Sequence, residues 1–550
     1  MNAASLAVGS FALLGIAYKF YGGFLRERIF GITNLEPSPA VQRNDGVEFV
    51  PTNRWVLFGH QFASIAGLGP IVGPAIAVVW GWLPALLWVV FGSIFVGGVH
   101  DFGALAASLG FKGCGMGEIT QRVVGRRAKN LFLVIIFFLL ALAMGVFAIL
   151  IAGLFIAYPK VVIPVFGLIV LAMLFGTALK RWGVPLGIAS WVGVSLNLGL
   201  ILVGIKFPIL WSNAHGWITV LLIYALLASV LPIWLLLTPR DYLNSYKLYL
   251  SLGAILVGLL MGADEFKMVA PAVQSVAGAP SLFPFLFITI ACGACSGFHS
   301  LVSSGTTVRQ LKCRTDSQMM GYGAMLMEGA LAVLVILACT AGVGADFWNE
   351  NYQNWATINA KGVPLRSFVE GAGAFIARTG LDLEFAKTFI AVVVIAFAMT
   401  TLDSATRLLR YNIEEIGTAY GTPSLRNKWT ASIVAVVAIA FFAFLKMPNE
   451  SGEMVPAGLL LWQLFGTTNQ LLGGLALLVV TAWLVQRKRP SGWTYWPMIL
   501  MFTMTLWAMV VKLLVFWGKG QWGPLGVGAV IFALALLIIW EAVGVLRGAN

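Results

Sequence analysis

The sequence predicts an all-α polytopic membrane protein of about 15 transmembrane helices. Three observations carry that expectation. Of 550 residues, 59% are hydrophobic and 10% charged, with mean hydropathy +0.90, whereas soluble domains run near 25% charged. Apolar stretches of about 18 residues or more recur along the whole length, leaving no room between them for a water-soluble domain. The lysines and arginines fall mainly on one side once the stretches are threaded back and forth. The net charge of +13 therefore reads as orientation signal rather than nucleic-acid binding. The five cysteines are too few and scattered for a disulfide framework. Cys292 and Cys295 form a C-x-x-C that reads as two small residues at helix spacing. No cofactor is expected.

Taken in order, the apolar stretch at about 4–25 has neither a basic lead-in nor a cleavage site, so it reads as a retained span. The next fourteen are about 55–80, 84–109, 130–157, 161–179, 185–206, 216–238, 243–262, 283–303, 319–343, 386–406, 429–446, 457–485, 494–517 and 523–545. With fifteen spans, 24 basic residues lie on the side opposite the N-terminus and 9 on its own side. The rule that basic loops stay inside then puts the N-terminus outside and the C-terminus in the cytoplasm. The long outer connection at about 344–385 contains "SFVEGAGAFIARTG", whose apolar spacing suits short helices packed over an outer entrance; a plain solvated loop is the alternative.

Two spans contain residues that undo a helix. "GHQFASIAGLGPIVGP" (59–74) carries His60 and an unwinding point at Gly67, Leu68, Gly69 and Pro70, where a proline removes a donor and clashes one turn back. "ITIACGACSGFHSLVSSGTT" (288–307) mixes Ser296, Gly297, Phe298, His299 and Ser300 into a span. Irregular backbone survives in hydrocarbon only against protein or a wet cavity. Two interrupted helices of opposite direction mark an inverted-repeat secondary transporter with its site near the midplane. Small residues that merely allow close helix packing are the competing explanation.

Polar groups within spans point the same way. Three of the four histidines, His60, His100 and His299, lie in spans, and Asp101 follows His100; His215 sits in an outer loop and reads as ordinary. Proton handling, substrate-carboxylate binding and structural hydrogen bonding are all open to them, while no metal-binding pair supports a metal. In "AMTTLDSATRLLRYNIEE" (398–415), Thr400, Thr401, Ser404 and Asp403 suit a sodium ion or a proton; alternatively Asp403 pairs with Arg407 one turn on. In "LWQLFGTTNQLLGGLALL" (461–478), Thr467, Thr468, Asn469 and Gln470 read as cross-helix hydrogen-bonding groups.

Together "VLFGHQFASIAGLGPIVGP", "GGVHDF", "SGFHSLVSSGTT", "TTLDSATRLLRY" and "LFGTTNQLLGGLALL" resemble the carbon starvation protein A (CstA) family, in family order over roughly residues 55–478. The family commonly reads G-H-H-F where this chain has Gly59-His60-Gln61-Phe62. The resemblance implies a bacterial inner-membrane importer of peptides, or in some members pyruvate, active in nutrient limitation. It also implies a LeuT-like core of two inverted five-helix repeats, headed by the broken spans. The chain would then be one transmembrane domain over 1–550, with its core at about 55–485 and peripheral helices at about 4–25, 494–517 and 523–545. Two spans, 216–238 and 243–262, would lie between the repeats.

The expected function is cation-coupled import of small peptides or short carboxylates. His60, Gly67, Gly69, Pro70, Ser296, Gly297, Phe298, His299 and Ser300 would line the substrate site; Thr400, Thr401, Ser404 and Asp403 would take the cation; His100 and Asp101 would be a buried ionisable pair. An intramembrane metal-dependent enzyme and a nutrient sensor that binds without transporting are the alternatives.

Overall fold

The computed structural model describes residues 2–358, 362–448 and 454–548. The chain is helical almost throughout: α1 (Ala3–Phe24), α2 (Arg54–Ile65), α3 (Gly69–Ala77), α4 (Trp82–Gly92), α5 (Gly98–Gly110), α6 (Arg126–Ala157), α7 (Val162–Lys180), α8 (Leu186–Lys206), α9 (Ala214–Val230), α10 (Leu237–Met261), α11 (Leu282–Thr289), α12 (Gly297–Val302), α13 (Ala324–Leu337), α14 (Val363–Ala377), α15 (Leu383–Ala419), α16 (Lys428–Phe444), α17 (Ala457–Gln486), α18 (Gly492–Gly518) and α19 (Trp522–Gly548). Short helical segments join them, and β1 (Lys446–Pro448) pairs antiparallel with β2 (Met454–Pro456).

Among the described residues, 11 helices are long and apolar enough to cross a bilayer, and the bent pair α2–α3 makes up to 12. The remaining predicted spans correspond to shorter or broken helices: α9 and α16 have 17 residues each, and α11 and α12 are two halves of one interrupted element.

Local chemistry sets the ends. Asn53 accepts the Trp55 N–H at the start of α2, and Asp382 accepts the Phe385 N–H at the start of α15, each satisfying an orphan donor of the first turn. The α2 ladder stops at Ala66, where ψ reaches 56°. Pro70 then forms the first turn of α3, which leaves at 47°; a first-turn proline sacrifices no ladder bond. Ile290 ends α11 with ψ 50°, and the chain runs irregularly to Ser296. Both predicted interruptions are therefore present.

α2 packs against α10, α12, α13 and α15, while α3 packs against α11, α13 and α14. α12 lies on α17, α5 and α15. The outer connection forms Ala345–Asn351, Trp355–Ile358 and α14. α14 lies on α3, α10 and α15, so the apolar spacing of "SFVEGAGAFIARTG" packs a helix; residues 359–361 of that connection lie outside the described residues.

Candidate functional site

The two interruptions touch. A Cβ on Gly69 would run into the Cys292 side chain, and one on Gly73 into the Thr289 carbonyl. One on Gly67 would overlap the Thr401 hydroxyl, and one on Gly297 the backbone of Asn469 and Gly473. Glycine allows close approach of a neighbouring backbone at Gly73 and Gly297 and of a neighbouring side chain at Gly67 and Gly69; at none of them is a special dihedral needed.

α17 secures the second break. Asn469 Oδ1 accepts the Phe298 N–H at 3.0 Å, and its amide exchanges hydrogen bonds with the Ser296 hydroxyl at 3.0 and 3.2 Å. Gln470 Nε2 donates to the Phe287 carbonyl at 2.8 Å. Neighbouring residues of one helix thus hold both halves of the broken element, and the positive end of α12 is already capped by an amide oxygen.

The predicted site residues divide into three groups. In the first, Ser64 meets Ser404 at 3.1 Å, and Thr401 lies against Gly67, so two of the four expected cation residues face the first break. Thr400 instead receives a hydrogen bond from Asn244 of α10 at 3.3 Å. Asp403 does not pair with Arg407. It accepts from Tyr224 at 2.5 Å and from the Arg240 guanidinium, while Arg407 donates to the Ala228 and Leu231 carbonyls at 2.6 and 2.5 Å. A guanidinium already neutralises the carboxylate expected to hold a cation, and the ordinary one-turn pair is absent because Arg407 caps the end of α9.

In the second group, His60 Nδ1 lies 2.6 Å from Asp241 Oδ2 on α10, and both side chains are fully buried. Gln61, standing where the family commonly has its second histidine, bridges the two broken elements: Thr307 donates to its oxygen, and its amide donates to Ser303 at 3.3 Å.

The third group joins three helices. Asp101 on α5 accepts from His100 Nδ1 at 2.7 Å and from His299 Nδ1 of α12 at 2.8 Å, and His299 Nε2 lies 3.3 Å from Glu328 Oε2 on α13. All four side chains are buried. A π-helical stretch, Ser93–Gly97, precedes α5, and another, Ser303–Thr307, follows α12; such bulges gather at functional sites. The three membrane histidines do not converge, since His60 has its own carboxylate. His215 stacks on Phe444.

Sequence reading missed Tyr224, Arg240, Asp241, Lys247 and Glu328. Arg240 and Lys247 counted there as cytoplasmic loop charge, yet they are 2% and 0% exposed. The signal for Glu328 was legible: one carboxylate inside an apolar span. For Arg240 and Asp241 it was hidden, because a boundary drawn at 243 placed them outside a helix that begins at Leu237.

Arg43, Glu48, Glu118, Lys129, Arg309 and Glu415 are among the residues lining a polar cavity of about 360 Å³. Burial raises the Glu48 carboxyl, but the Arg309 and Arg410 guanidiniums, at 2.7 and 2.9 Å, outweigh it and hold the carboxyl below its ordinary range.

A family model described as carbon starvation protein CstA matches residues 2–353 and 348–508. The chain is 31% identical to a peptide transporter CstA of Campylobacter jejuni over 579 aligned positions, covering 94% of this chain and 81% of the relative. It is 32% identical to the pyruvate/proton symporter BtsT of Escherichia coli, covering 93% and 82%. Among solved structures, a manganese transporter of Eremococcus coleocola aligns at TM-score 0.48 and 12% identity, over 92% of this chain and 99% of that one. A nucleobase-cation-symport-1 family transporter aligns at TM-score 0.46 and 13% identity, over 90% and 92%.

Proposed function

The chain belongs to the carbon starvation protein CstA family, and from that premise we propose that it is a secondary active transporter. It imports small peptides or short carboxylates such as pyruvate, driven by a cation gradient, in nutrient limitation. It resides in the bacterial inner membrane, with the N-terminus outside and the C-terminus cytoplasmic.

The observation that carries the reading is the direct contact of two interrupted helices, at Gly69 against Cys292 and Gly73 against Thr289. Two such breaks side by side supply main-chain polar groups at membrane depth and a place where half-helices can tilt independently. Substrate binds between Gly67–Pro70 and Ser296–Ser300, oriented by His60 and His299. Because Asn469 holds the Phe298 N–H, a substrate carboxylate received at the start of α12 replaces that amide oxygen. Thr401 and Ser404, lying against the first break, are the better-placed half of the expected cation set.

The test is uptake into liposomes holding the purified protein. Labelled dipeptide or pyruvate accumulates under an imposed proton or sodium gradient. Uptake equal to that of empty liposomes under both gradients overturns the reading.

A further inference from the structure

The hydrogen-bond accounting around His299 leaves one proton over. Asp101 accepts at both carboxylate oxygens, from His100 Nδ1 at 2.7 Å and His299 Nδ1 at 2.8 Å. A neutral imidazole carries one N–H. When the His299 N–H points at Asp101, its Nε2 presents a lone pair, and this lies 3.3 Å from Glu328 Oε2. Among the described residues, Glu328 has no other hydrogen-bond partner at either oxygen. A lone pair against a carboxylate is repulsive in a low-dielectric interior. The contact is favourable only with a proton between nitrogen and oxygen, held as carboxylic acid or as imidazolium. Reversing the tautomer moves the need to Asp101 without removing it.

Charge leads to the same conclusion. The cluster's ion pairs run among its own members, Asp101, His100, His299 and Glu328. Two bare carboxylates with two neutral imidazoles would bury two negative charges, each taken out of water at a desolvation cost; the extra proton halves that charge. The other titratable groups nearby are the thiols of Cys292 and Cys295 in the break, which lie close enough to feel Glu328 and Asp101 electrostatically.

We propose that Glu328, bridged through His299 to Asp101, is the binding site of the driving proton. This rests on the carrier reading above. His299 belongs to α12, three residues from Ser296 where the break ends, whereas Glu328 belongs to the uninterrupted α13. The proton ties the movable half-helix to its neighbour. Its departure sets lone pair against carboxylate and drives α12 away. The step balances as a single proton: an O–H or N–H bond forms when it arrives from one compartment and breaks when it leaves to the other, with no net change in covalent bonding.

The experiment compares wild type, Glu328→Gln and Glu328→Asp in liposomes with labelled pyruvate and labelled dialanine as probes. Wild type accumulates one probe under an inward proton gradient and not under sodium alone. In E328Q the accumulation ratio falls to about one, and tracer exchange, at whatever rate remains, no longer varies with pH. Accumulation by E328Q above that ratio overturns the proposal, as does wild-type accumulation driven by sodium alone; both leave the carrier reading intact. No flux by wild type under either gradient overturns the carrier reading instead. Should E328Q not fold, E328D decides: it keeps coupling and moves the midpoint of the pH–exchange curve, because aspartate is the stronger acid and its shorter side chain stands farther from His299, and an unmoved midpoint overturns the proposal.

Discussion

Asp241 Oδ2 lies 2.6 Å from His60 Nδ1, joining α10 to the first half-helix of the broken pair. α10 also places Arg240 on Asp403 of α15. The helix is thus tied to two elements that carry candidate site residues. Removing one member of a buried pair strands the other, at about 3–5 kcal/mol. Asp241→Ala should therefore lower stability by that amount in denaturant titrations of purified protein, and Asp241→Asn, which still accepts a hydrogen bond, by less than half as much.

The Arg240–Asp403 pair gives a sharper test. Arg240→Met leaves the buried Asp403 uncompensated and should cost about 3–5 kcal/mol, whereas Asp403→Leu still leaves Arg240 a contact with Asp241 at 3.9 Å and should cost less. The double variant leaves neither charge and should fall within about 2 kcal/mol of wild type, because apolar side chains often replace a buried ion pair at little loss. Additive losses in the double-mutant cycle would show that the two groups do not interact.

Gly67→Ala puts a methyl group onto the Thr401 hydroxyl. Overpacking of this kind costs about 1–3 kcal/mol. Adding Thr401→Ala opens the space, so the double variant should regain most of the lost thermal stability. Gly297→Ala meets the backbone of Asn469 and Gly473, which no side-chain change can move, and its loss should not be suppressible in this way. Melting temperatures of the four proteins decide both points.

The interruptions were legible because proline and clustered glycine leave few helical options, and both appeared where the sequence placed them. His100 and Asp101 stand beside each other in the chain, so their pairing was open to inspection. What joins them to His299 and Glu328 was not, since contacts 198 residues apart depend on which helix faces which. Asp403 shows the opposite failure. Its nearest basic residue along the helix is Arg407, and local spacing favours that pair. The tertiary arrangement gave Asp403 an arginine from α10 and sent Arg407 to the end of α9.

Glu48 links stability to pH. Its folded-state carboxyl sits below its ordinary value of 4.5 because Arg309 and Arg410 favour the charged form over the opposing effect of burial. A depressed acid contributes stability that is fully present above its unfolded value and disappears as pH falls through its folded value. The stability difference between wild type and Glu48→Gln should be flat from neutral pH down to about 5 and should shrink below it. Melting temperatures of both proteins across that range provide the measurement; a difference that grows on acidification would contradict the assigned direction.

Orientation can be read from a single helix. α8 runs 21 residues to Lys206, close to the length a bilayer core requires at 1.5 Å per residue. Arg181 lies just beyond the end of α7, in the turn before α8, and both Arg181 and Lys206 are exposed. In the orientation proposed above, the Arg181 side, with its excess of basic residues, faces the cytoplasm. Cysteines introduced by Arg181→Cys and Lys206→Cys should therefore respond differently to a membrane-impermeant maleimide. In intact cells the Lys206→Cys protein is labelled and the Arg181→Cys protein is not, until the membrane is permeabilised. The opposite pattern would invert every loop in the chain, and the 24 to 9 split would then have to arise from something other than orientation.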